Sequence, residues 1–263
     1  MDEVVLVTGA SSGIGQACAD RLHDRGWTVV GASRRATSSG GWASLVMDVD
    51  SDASVDRAMH ALLADHGRID AVVACAGWGL AGPTEETSMV DARDQFETNF
   101  WGAVRVVRRA LPAMRARGRG RIVLMSSIGG VVALPFQAFY SASKFALEGY
   151  GEALAYEVAP FGIEVTLVQP GNVVTGFTAH RRDVTLAGAY EAVAHGAVGK
   201  MADDEMDGVP ADHVALVVQR VLEARRPPRR RSVGKLGERM GIPAKRFLPH
   251  RIFEKAATGS LGV

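Results

Sequence analysis

The stretch VVLVTGASSGIG, residues 4–15, joins a buried strand to the start of a helix. Its four apolar residues predict the strand, and Gly9, Gly13 and Gly15 follow in the pattern T-G-x-x-x-G-x-G. Glycines let the chain turn sharply and approach a pyrophosphate closely. The free N–H groups at a helix N-terminus attract phosphates. The stretch therefore predicts the first strand, turn and helix of a dinucleotide-binding fold; the alternative is a glycine-rich turn without a ligand.

Apolar runs and helical patterns alternate along nearly the whole chain. The runs are rich in Val, Ile and Leu, as expected for strands that helices cover on both faces. This alternation predicts one α/β domain over residues 1–263, a doubly wound parallel sheet with helices on both faces. The predicted strands are 4–7, 27–33, 42–49, 69–77, 120–127, 162–171 and 231–234. The predicted helices are 13–25, 51–66 with Ser51 as N-cap, 88–117, 138–160 and 210–225.

Composition excludes several classes of function. The chain is 47% hydrophobic and 22% charged, and its formal net charge of +1 indicates no basic surface for nucleic acid. Its two cysteines, Cys18 and Cys75, and its seven scattered histidines have no metal-ligand spacing. We see neither a leader pattern nor a run of ~20 apolar residues. We therefore expect a cytoplasmic protein with reduced thiols, no metal and no transmembrane segment.

The end of the second predicted strand bears on which dinucleotide binds. An NAD site places an Asp or Glu there to hold the ribose 2′-hydroxyl, but this chain has Ser33, Arg34 and Arg35. An arginine suits a 2′-phosphate through charge-assisted hydrogen bonds, and the Ser12 hydroxyl could add another. We therefore expect NADP(H), with NAD(H) as the alternative in which both arginines are exposed loop charges.

A tyrosine and a lysine lie one helical turn apart in YSASK, residues 140–144. Residues i and i+4 share a helix face, and an ammonium ~5 Å from a phenol supplies ~3 kcal/mol at an effective dielectric constant near 20. Lowering a phenol pKa from ~10 towards 7 needs ~4 kcal/mol, so Lys144 and an oxidised nicotinamide together would be about sufficient for Tyr140. Ser127 ends the fifth strand, on the ligand side of such a sheet. Asn99 lies in mid-helix, which is unfavourable without a structural reason.

Together these motifs resemble the short-chain dehydrogenase/reductase family, whose fold is Rossmann-type. The resemblance runs over roughly residues 3–255 through TGASSGIG (8–15), Asn99, Ser127, YSASK (140–144) and PGNVVT (170–175). Residues 126–149 look similar to hydroxysteroid dehydrogenases and related carbonyl reductases. The resemblance implies that Tyr140 is the general acid/base and that Ser127 orients the carbonyl. It also implies that Lys144 binds the nicotinamide ribose and lowers the tyrosine pKa, and that Asn99 holds a water in the proton relay.

The expected cofactor contacts come from the glycine turn, the ends of the strands and the PGNVVT segment. Asp48 and Val49 end the third strand and are expected beside the adenine. The full set is Gly9, Ser11, Ser12, Gly13, Ile14, Gly15, Ser33, Arg34, Asp48, Val49, Ala76, Gly77, Tyr140, Lys144, Pro170, Gly171, Val173 and Thr175.

One segment departs from the family pattern. Ala74-Cys75-Ala76-Gly77 follows the fourth strand, where the family often has Asn-Asn-Ala-Gly. We expect the missing amides to remove hydrogen bonds that steady the sheet or the cofactor loop. Ala76 and Gly77 still permit close approach to the cofactor ribose, and a redox role for Cys75 is the less favoured interpretation.

Residues 172–209 have the least regular pattern, with no predicted strand. A long segment after a strand's carboxyl end usually covers a ligand site, so we expect 176–209 to be a lid. Its apolar content favours a bulky hydrophobic ketone or secondary alcohol, steroid-like or polycyclic. The expected lining residues are Phe177, Leu186, Tyr190, Val193, Met201 and Met206, facing Leu80, Leu134 and Phe136.

The C-terminal extension, 235–263, mixes apolar and basic residues. It could cover the pocket, join a subunit interface or contact a membrane surface, and we favour the first two. The predicted function is an NADP(H)-dependent oxidoreductase acting on a small hydrophobic carbonyl or alcohol, as a homodimer or homotetramer. A non-catalytic dinucleotide-binding sensor is the alternative, against which the intact set of four catalytic residue types argues. A sugar-nucleotide epimerase is a third hypothesis, but the T-G-x-x-G-x-x-G spacing and larger C-terminal domain of that class are missing.

Overall fold

Seven parallel strands form the central sheet of the computed structural model, which describes residues 3–37, 40–185 and 188–259. Each of the seven predicted strands is present, so the predicted α/β fold is confirmed. Four further strands, of two residues each, form two small ribbons outside this sheet. In chain order the strands are β1 Val4–Thr8, β2 Thr28–Ser33, β3 Ala43–Val46, β4 Ala71–Ala74, β5 Leu80–Ala81, β6 Gly120–Met125, β7 Ile163–Pro170, β8 Val173–Val174, β9 Arg182–Asp183, β10 Val209–Pro210 and β11 Arg230–Val233.

Ten helices surround the sheet in the described residues. The helix predicted from Ser51 begins as expected, because the Ser51 side chain accepts a hydrogen bond from the backbone N–H of Ser54 at 3.3 Å. It ends at Gly67, whose φ of +67° closes the last turn. The helices are α1 Gly13–Asp24, α2 Asp52–His66, α3 Met89–Phe96, α4 Ala103–Arg117, α5 Ala138–Val158, α6 Phe177–His180, α7 Glu191–Met206, α8 Ala211–Glu223, α9 Leu236–Phe247 and α10 His250–Gly259.

The strand order β3-β2-β1-β4-β6-β7-β11 places a topological switch between β1 and β4. The chain first builds outward from β1 to β3 and then returns to β4, on the other side of β1. The carboxyl ends of β1 and β4 therefore open a crevice, which is where such sheets bind ligands. Two apolar clusters hold the layers together: α2, α4 and α5 cover one face, and α1 and α8 cover the other.

The prediction for residues 172–209 is wrong in part. The segment contains three short strands and the 16-residue helix α7. β8 pairs with β10, and β9 pairs with β5, which precedes α3. A two-residue strand is too short to give a periodic signal, so these pairings depend on tertiary contacts. In the described residues no helix is long and apolar enough to cross a bilayer.

Candidate active site

The glycine turn between β1 and α1 has the backbone that the sequence predicted. Gly9 has a φ of +69°, and a Cβ there would lie 3.0 Å from the backbone of Ala76. A Cβ on Gly15 would collide with the carbonyl oxygen of Gly9. Within α1 and its cap, Ser12 makes no side-chain capping bond and the first turn carries no acidic residue. Ser12 thus leaves the first N–H groups of α1 uncapped, and no carboxylate of the first turn neutralises this end of the helix. This arrangement fits a bound phosphate.

The loop after β4 is held by a residue that the sequence analysis missed. The hydroxyl of Thr8 accepts hydrogen bonds from the backbone N–H groups of Cys75 and Ala76, both at 3.1 Å. Thr8 thus ties this loop to β1 with two hydrogen bonds, while the loss of bonds from the missing amide side chains stays a prediction. The signal was present in the T-G pair that opens the glycine turn.

The PGNVVT segment reaches the glycine turn from β7. A Cβ on Gly13 would lie 3.5 Å from the Thr175 side chain, so Thr175 lies over that turn. Pro170 ends β7, and its carbonyl accepts from the Ser127 hydroxyl at 3.3 Å. Val173 is buried in the β8–β10 ribbon, and Gly171 donates its N–H to the carbonyl of Val233 at 2.7 Å. The four predicted cofactor residues of this segment thus lie along one wall, between the glycine turn and Ser127.

The ends of β2 and β3 lie at the carboxyl edge of the sheet, where the adenine is expected. The buried Ser33 donates its hydroxyl hydrogen to the carbonyl of Arg35 at 2.5 Å, and this bond shapes the turn that exposes Arg34. Asp48 accepts from the backbone N–H of Asp50 at 3.1 Å, so one of its oxygens is engaged locally. Val49 is buried, and a Cβ on Gly102 would press against its side chain.

The structure explains why an asparagine, Asn99, lies within a helical segment. The predicted helix 88–117 is interrupted at Glu97–Gly102 by a π-helical turn, a feature frequent at functional sites. The Asn99 amide accepts from Trp78 N–H and donates to Trp78 C=O, both at 3.0 Å, and also donates to the Ser143 hydroxyl at 3.3 Å. Asn99 thereby joins the loop after β4 to α5, one residue from Lys144.

Tyr140, Ser127 and Lys144 meet at the carboxyl end of β6. The Ser127 hydroxyl lies beside the Tyr140 ring, since a Cβ on Gly129 would be 3.3 Å from both. The Lys144 ammonium lies 5.9 Å from the centroid of the Tyr140 ring and donates to the carbonyl of Met125 at 2.9 Å. A Cβ on Gly77 would lie 3.0 Å from the Asn99 amide oxygen and 3.7 Å from the Lys144 nitrogen, so glycine there leaves the crevice open.

Burial dominates the electrostatics of Tyr140 and Lys144 in the chain's own residues. Burial raises the pKa of Tyr140 to about 12, while the hydrogen bond with Ser127 lowers it and the charge of Glu205 raises it. Burial also lowers the pKa of Lys144 to about 8. Within the chain's own residues the lysine therefore does not make the tyrosine acidic, because both groups are removed from water. Tyr140 instead holds its proton firmly at neutral pH.

The helical segment after β8 packs against the candidate catalytic residue Tyr140. The rings of Tyr140 and Phe177 meet edge to face at 6.0 Å. Arg181, one turn further on, has a side chain that is 2% exposed, and its Nη1 lies 3.7 Å from the carboxylate of Glu205 on α7. That Nη1 has no hydrogen-bond partner among the described residues, although Nε donates to Asp183 at 2.8 Å. A buried cation and a carboxylate thus lie in the roof of the site, which the sequence analysis described as apolar.

The other expected lining residues divide between the pocket and the surface. Leu134 lies near the catalytic pair, because a Cβ on Gly129 would contact Ser127, Tyr140 and Leu134 at 3.3–3.4 Å. Leu80 is fully packed at 2% exposure, and Val193 and Met206 lie on the outer surface. Leu186 falls outside the described residues. Of the remaining expected lining residues, Met201 is buried, Phe136 is half-buried and Tyr190 is exposed.

The fold, the glycine turn and the Asn99–Ser127–Tyr140–Lys144 cluster define a dinucleotide-dependent oxidoreductase. A family model described as short chain dehydrogenase matches residues 3–185. The chain belongs to the short-chain dehydrogenase/reductase family, whose members bind NAD(P)(H) and act on CH–OH and C=O groups.

Three similar proteins illustrate the relationship. A 3-ketodihydrosphingosine reductase from Bacteroides thetaiotaomicron is 38% identical over 258 residues, covering 97% of this chain and 96% of that protein. Human 17-beta-hydroxysteroid dehydrogenase type 1 is 37% identical over 193 residues, covering 66% of this chain and 58% of that protein. The crystal structure of a short-chain dehydrogenase from Streptomyces avermitilis has 32% sequence identity and a TM-score of 0.87, with 98% of each chain covered.

Proposed function

We propose that the protein is an NADP(H)-dependent reductase of hydrophobic ketones in which Tyr140 is the proton donor. The observation that carries this proposal is that Ser127, Tyr140 and the buried Lys144 lie together at the carboxyl end of β6. Burial raises the pKa of Tyr140, so at neutral pH the phenol carries the proton that reduction of a carbonyl requires.

The residues of the crevice fit a dinucleotide. Gly9, Gly13 and Gly15 allow a pyrophosphate to approach the N-terminus of α1, and the open face at Gly77 leaves room beside Lys144. The exposed Arg34 would take the 2′-phosphate that distinguishes NADP(H) from NAD(H). A bound reduced nicotinamide would supply hydride to the carbonyl carbon.

The chain's own residues would carry the rest of the reaction. The Ser127 hydroxyl would hydrogen-bond to the carbonyl oxygen and hold it at the phenol. Tyr140 would give that oxygen a proton as negative charge develops on it. Lys144 would hold the ribose and stabilise the phenolate left behind, since a positive charge favours the ionised phenol. Asn99 would order the water that returns a proton to the site.

Tyr140→Phe tests the proposal. This variant removes the transferable proton and keeps the ring on Phe177, so kcat/KM for ketone reduction should fall by ~10²–10⁴ while NADPH still binds, as read by its fluorescence. Tyr156→Phe, on the exposed side of α5, is the matched control. Unchanged kcat/KM in Tyr140→Phe would remove the tyrosine from the mechanism. If the natural chain binds NADPH but oxidises it with no member of a broad ketone panel, the protein is a dinucleotide sensor instead.

We infer further that the preferred substrate is a long-chain ketone with an amine on the carbon next to the carbonyl and a hydroxyl one carbon further. The reductase from Bacteroides thetaiotaomicron, which this chain matches over nearly its full length, is named for a ketone of that kind. Glu205 could receive an ammonium and the Nη1 of Arg181 a hydroxyl, and both groups lie in the roof over Tyr140. This chemistry is narrower than the steroid-like or polycyclic ketone expected from the sequence.

Glu205→Gln tests this substrate class. The assay compares kcat/KM for 3-ketodihydrosphingosine and for a ketone of equal chain length without the amine. A hydrogen bond to a charged group contributes ~1.5–3 kcal/mol, so the ratio of the two constants should fall at least ~10-fold in Glu205→Gln. Glu191→Gln, at the exposed start of α7, is the control. An unchanged ratio would exclude Glu205 from amine recognition and leave the reductase proposal intact. The homo-oligomeric state and the cytoplasmic location stay predictions.

A further inference from the structure

An exposed apolar stripe runs along α9. Leu236, Met240 and Phe247 are 71%, 55% and 78% exposed. At ~100° per residue, positions i, i+4 and i+11 fall within about 40° of one another around a helix. Leu248 at the C-cap of α9 and Ile252 on α10 are also exposed, at 43% and 58%. Contiguous large apolar side chains on the outside of a protein mark a contact surface. We call these five residues the C-terminal face.

Cations surround the C-terminal face. Residues 235–259 carry a formal charge of +4, although the whole chain carries only +1. Arg239 and Arg246 are exposed and lie directly beside Met240 and Phe247 in the chain. The segment contains six basic residues and two acidic ones, namely Lys235, Arg239, Lys245, Arg246, Arg251, Lys255, Glu238 and Glu254.

Bonds to the rest of the domain fix the direction in which α9 points its stripe. The carboxylate of Glu238 turns inward and accepts from the backbone N–H groups of Lys235 at 2.9 Å and Asn172 at 3.3 Å. Lys245 donates to the carbonyl of Val131 at 2.5 Å and lies over the Phe145 ring at 4.8 Å. Glu238 and Lys245 therefore attach α9 to the rest of the domain. The apolar stripe and its neighbouring arginines face outward.

We propose that the C-terminal face docks the protein on an anionic membrane surface. Amphipathic helices with an apolar stripe and flanking Lys and Arg bury that stripe at the headgroup boundary, and anionic lipids attract the cations. A second copy of the chain is the competing occupant. A two-fold interface would place this patch against itself, and +4 would then meet +4. Charge complementarity thus favours an anionic partner over a like-charged one.

The face also adjoins the roof of the site. Lys235, which precedes α9, forms an ion pair with Asp207, which follows α7. Leu236 is therefore brought towards Met206, which is 74% exposed at the end of α7. A docked protein would hold the end of α7 near the lipid, where a long-chain ketone is concentrated. This last step rests on the proposed function, whereas the docking itself does not.

Vesicle flotation of the full chain tests the docking. The protein is mixed with phosphatidylcholine vesicles that contain or lack phosphatidylglycerol. We expect flotation with the anionic vesicles only, and loss of flotation in high salt. The double variants Met240→Ser/Phe247→Ser and Arg239→Glu/Arg246→Glu should each weaken binding at least tenfold. Tyr156→Ser, a 66% exposed aromatic on α5, is the control that should float like the natural chain.

Two further measurements separate the outcomes. Reduction of a water-soluble ketone should be the same in both double variants, which shows that they fold and that the site is intact. Absence of flotation with anionic vesicles, or equal flotation of all variants, would overturn the proposal. If light scattering shows a dimer that Met240→Ser/Phe247→Ser dissociates, the face belongs to a second copy instead. None of these outcomes depends on the identity of the ketone.

Discussion

Lys144 is a buried ammonium, and replacing it should change how stability depends on pH. Its pKa falls from an ordinary 10.5 to about 8 because the folded chain removes the charge from water. Below pH 8 both the folded and the unfolded chain hold the proton, so the folded state bears the full cost of burying it. Between pH 8 and 10.5 the folded lysine loses its proton first, and that cost disappears as pH rises. The natural chain therefore gains stability from this group with rising pH.

The size of the effect follows from the two pKa values. A shift from 10.5 to about 8 corresponds to ~3 kcal/mol at pH 7, and linkage leaves under ~1 kcal/mol of it at pH 10. In Lys144→Met the cost is absent at every pH. The stability of the variant relative to the natural chain should therefore fall by ~2.5 kcal/mol between pH 7 and pH 10. The lost hydrogen bond to the Met125 carbonyl lowers the variant's stability by ~1–3 kcal/mol, largely independent of pH.

Urea unfolding at a series of pH values measures this difference. Lys200→Met, at an exposed position of α7, is the matched control and should show a pH-independent difference. The raised pKa of Tyr140 is shared by the natural chain and the variants, so its main contribution cancels. A difference between the natural chain and Lys144→Met that stays constant from pH 7 to pH 10 would refute the view that Lys144 titrates near 8.

Two other substitutions test the cofactor site. Arg34→Asp should move the preference from NADP(H) towards NAD(H), because a carboxylate repels a 2′-phosphate and accepts from a 2′-hydroxyl. The ratio of kcat/KM with NADPH to kcat/KM with NADH measures this preference, and Arg35→Asp distinguishes the two arginines. An unchanged ratio in Arg34→Asp would contradict the assignment. Thr8→Val should destabilise the fold by ~1–3 kcal/mol, because the N–H groups of Cys75 and Ala76 lose their acceptor; urea unfolding measures it, with Thr258→Val on α10 as control, and equal stability of the two variants would show that the loop finds other partners.

The elements whose residues carry a local signal could be predicted from the sequence. The seven strands of the sheet and the start of α2 at Ser51 follow from apolar runs and from capping chemistry. The turn at Gly9 has the positive φ that only a glycine adopts at low cost. The approach of Lys144 to Tyr140 follows from the helical repeat.

Other features have no local signal. The π-helical turn at Asn99 and the two-residue strands of the small ribbons are shorter than the window in which periodicity can be recognised. The sequence does not predict α9 and α10, because Gly and Pro residues interrupt the helical pattern there. The composition of residues 176–209 predicts an apolar roof, and only the folded chain shows Arg181 buried beside Glu205.

The kind of sheet, the place of the glycine turn and the helical spacing of tyrosine and lysine could be predicted from the amino-acid sequence, because each depends on residues within a few positions of one another. Only the folded chain shows that Ser127 lies beside Tyr140, that Thr8 holds the loop after β4, and that burial moves the pKa values of Tyr140 and Lys144 in opposite directions. Those outcomes depend on groups far apart in the chain and on how much water the packed layers exclude. A local sequence pattern indicates neither which distant groups come into contact nor how much water is excluded.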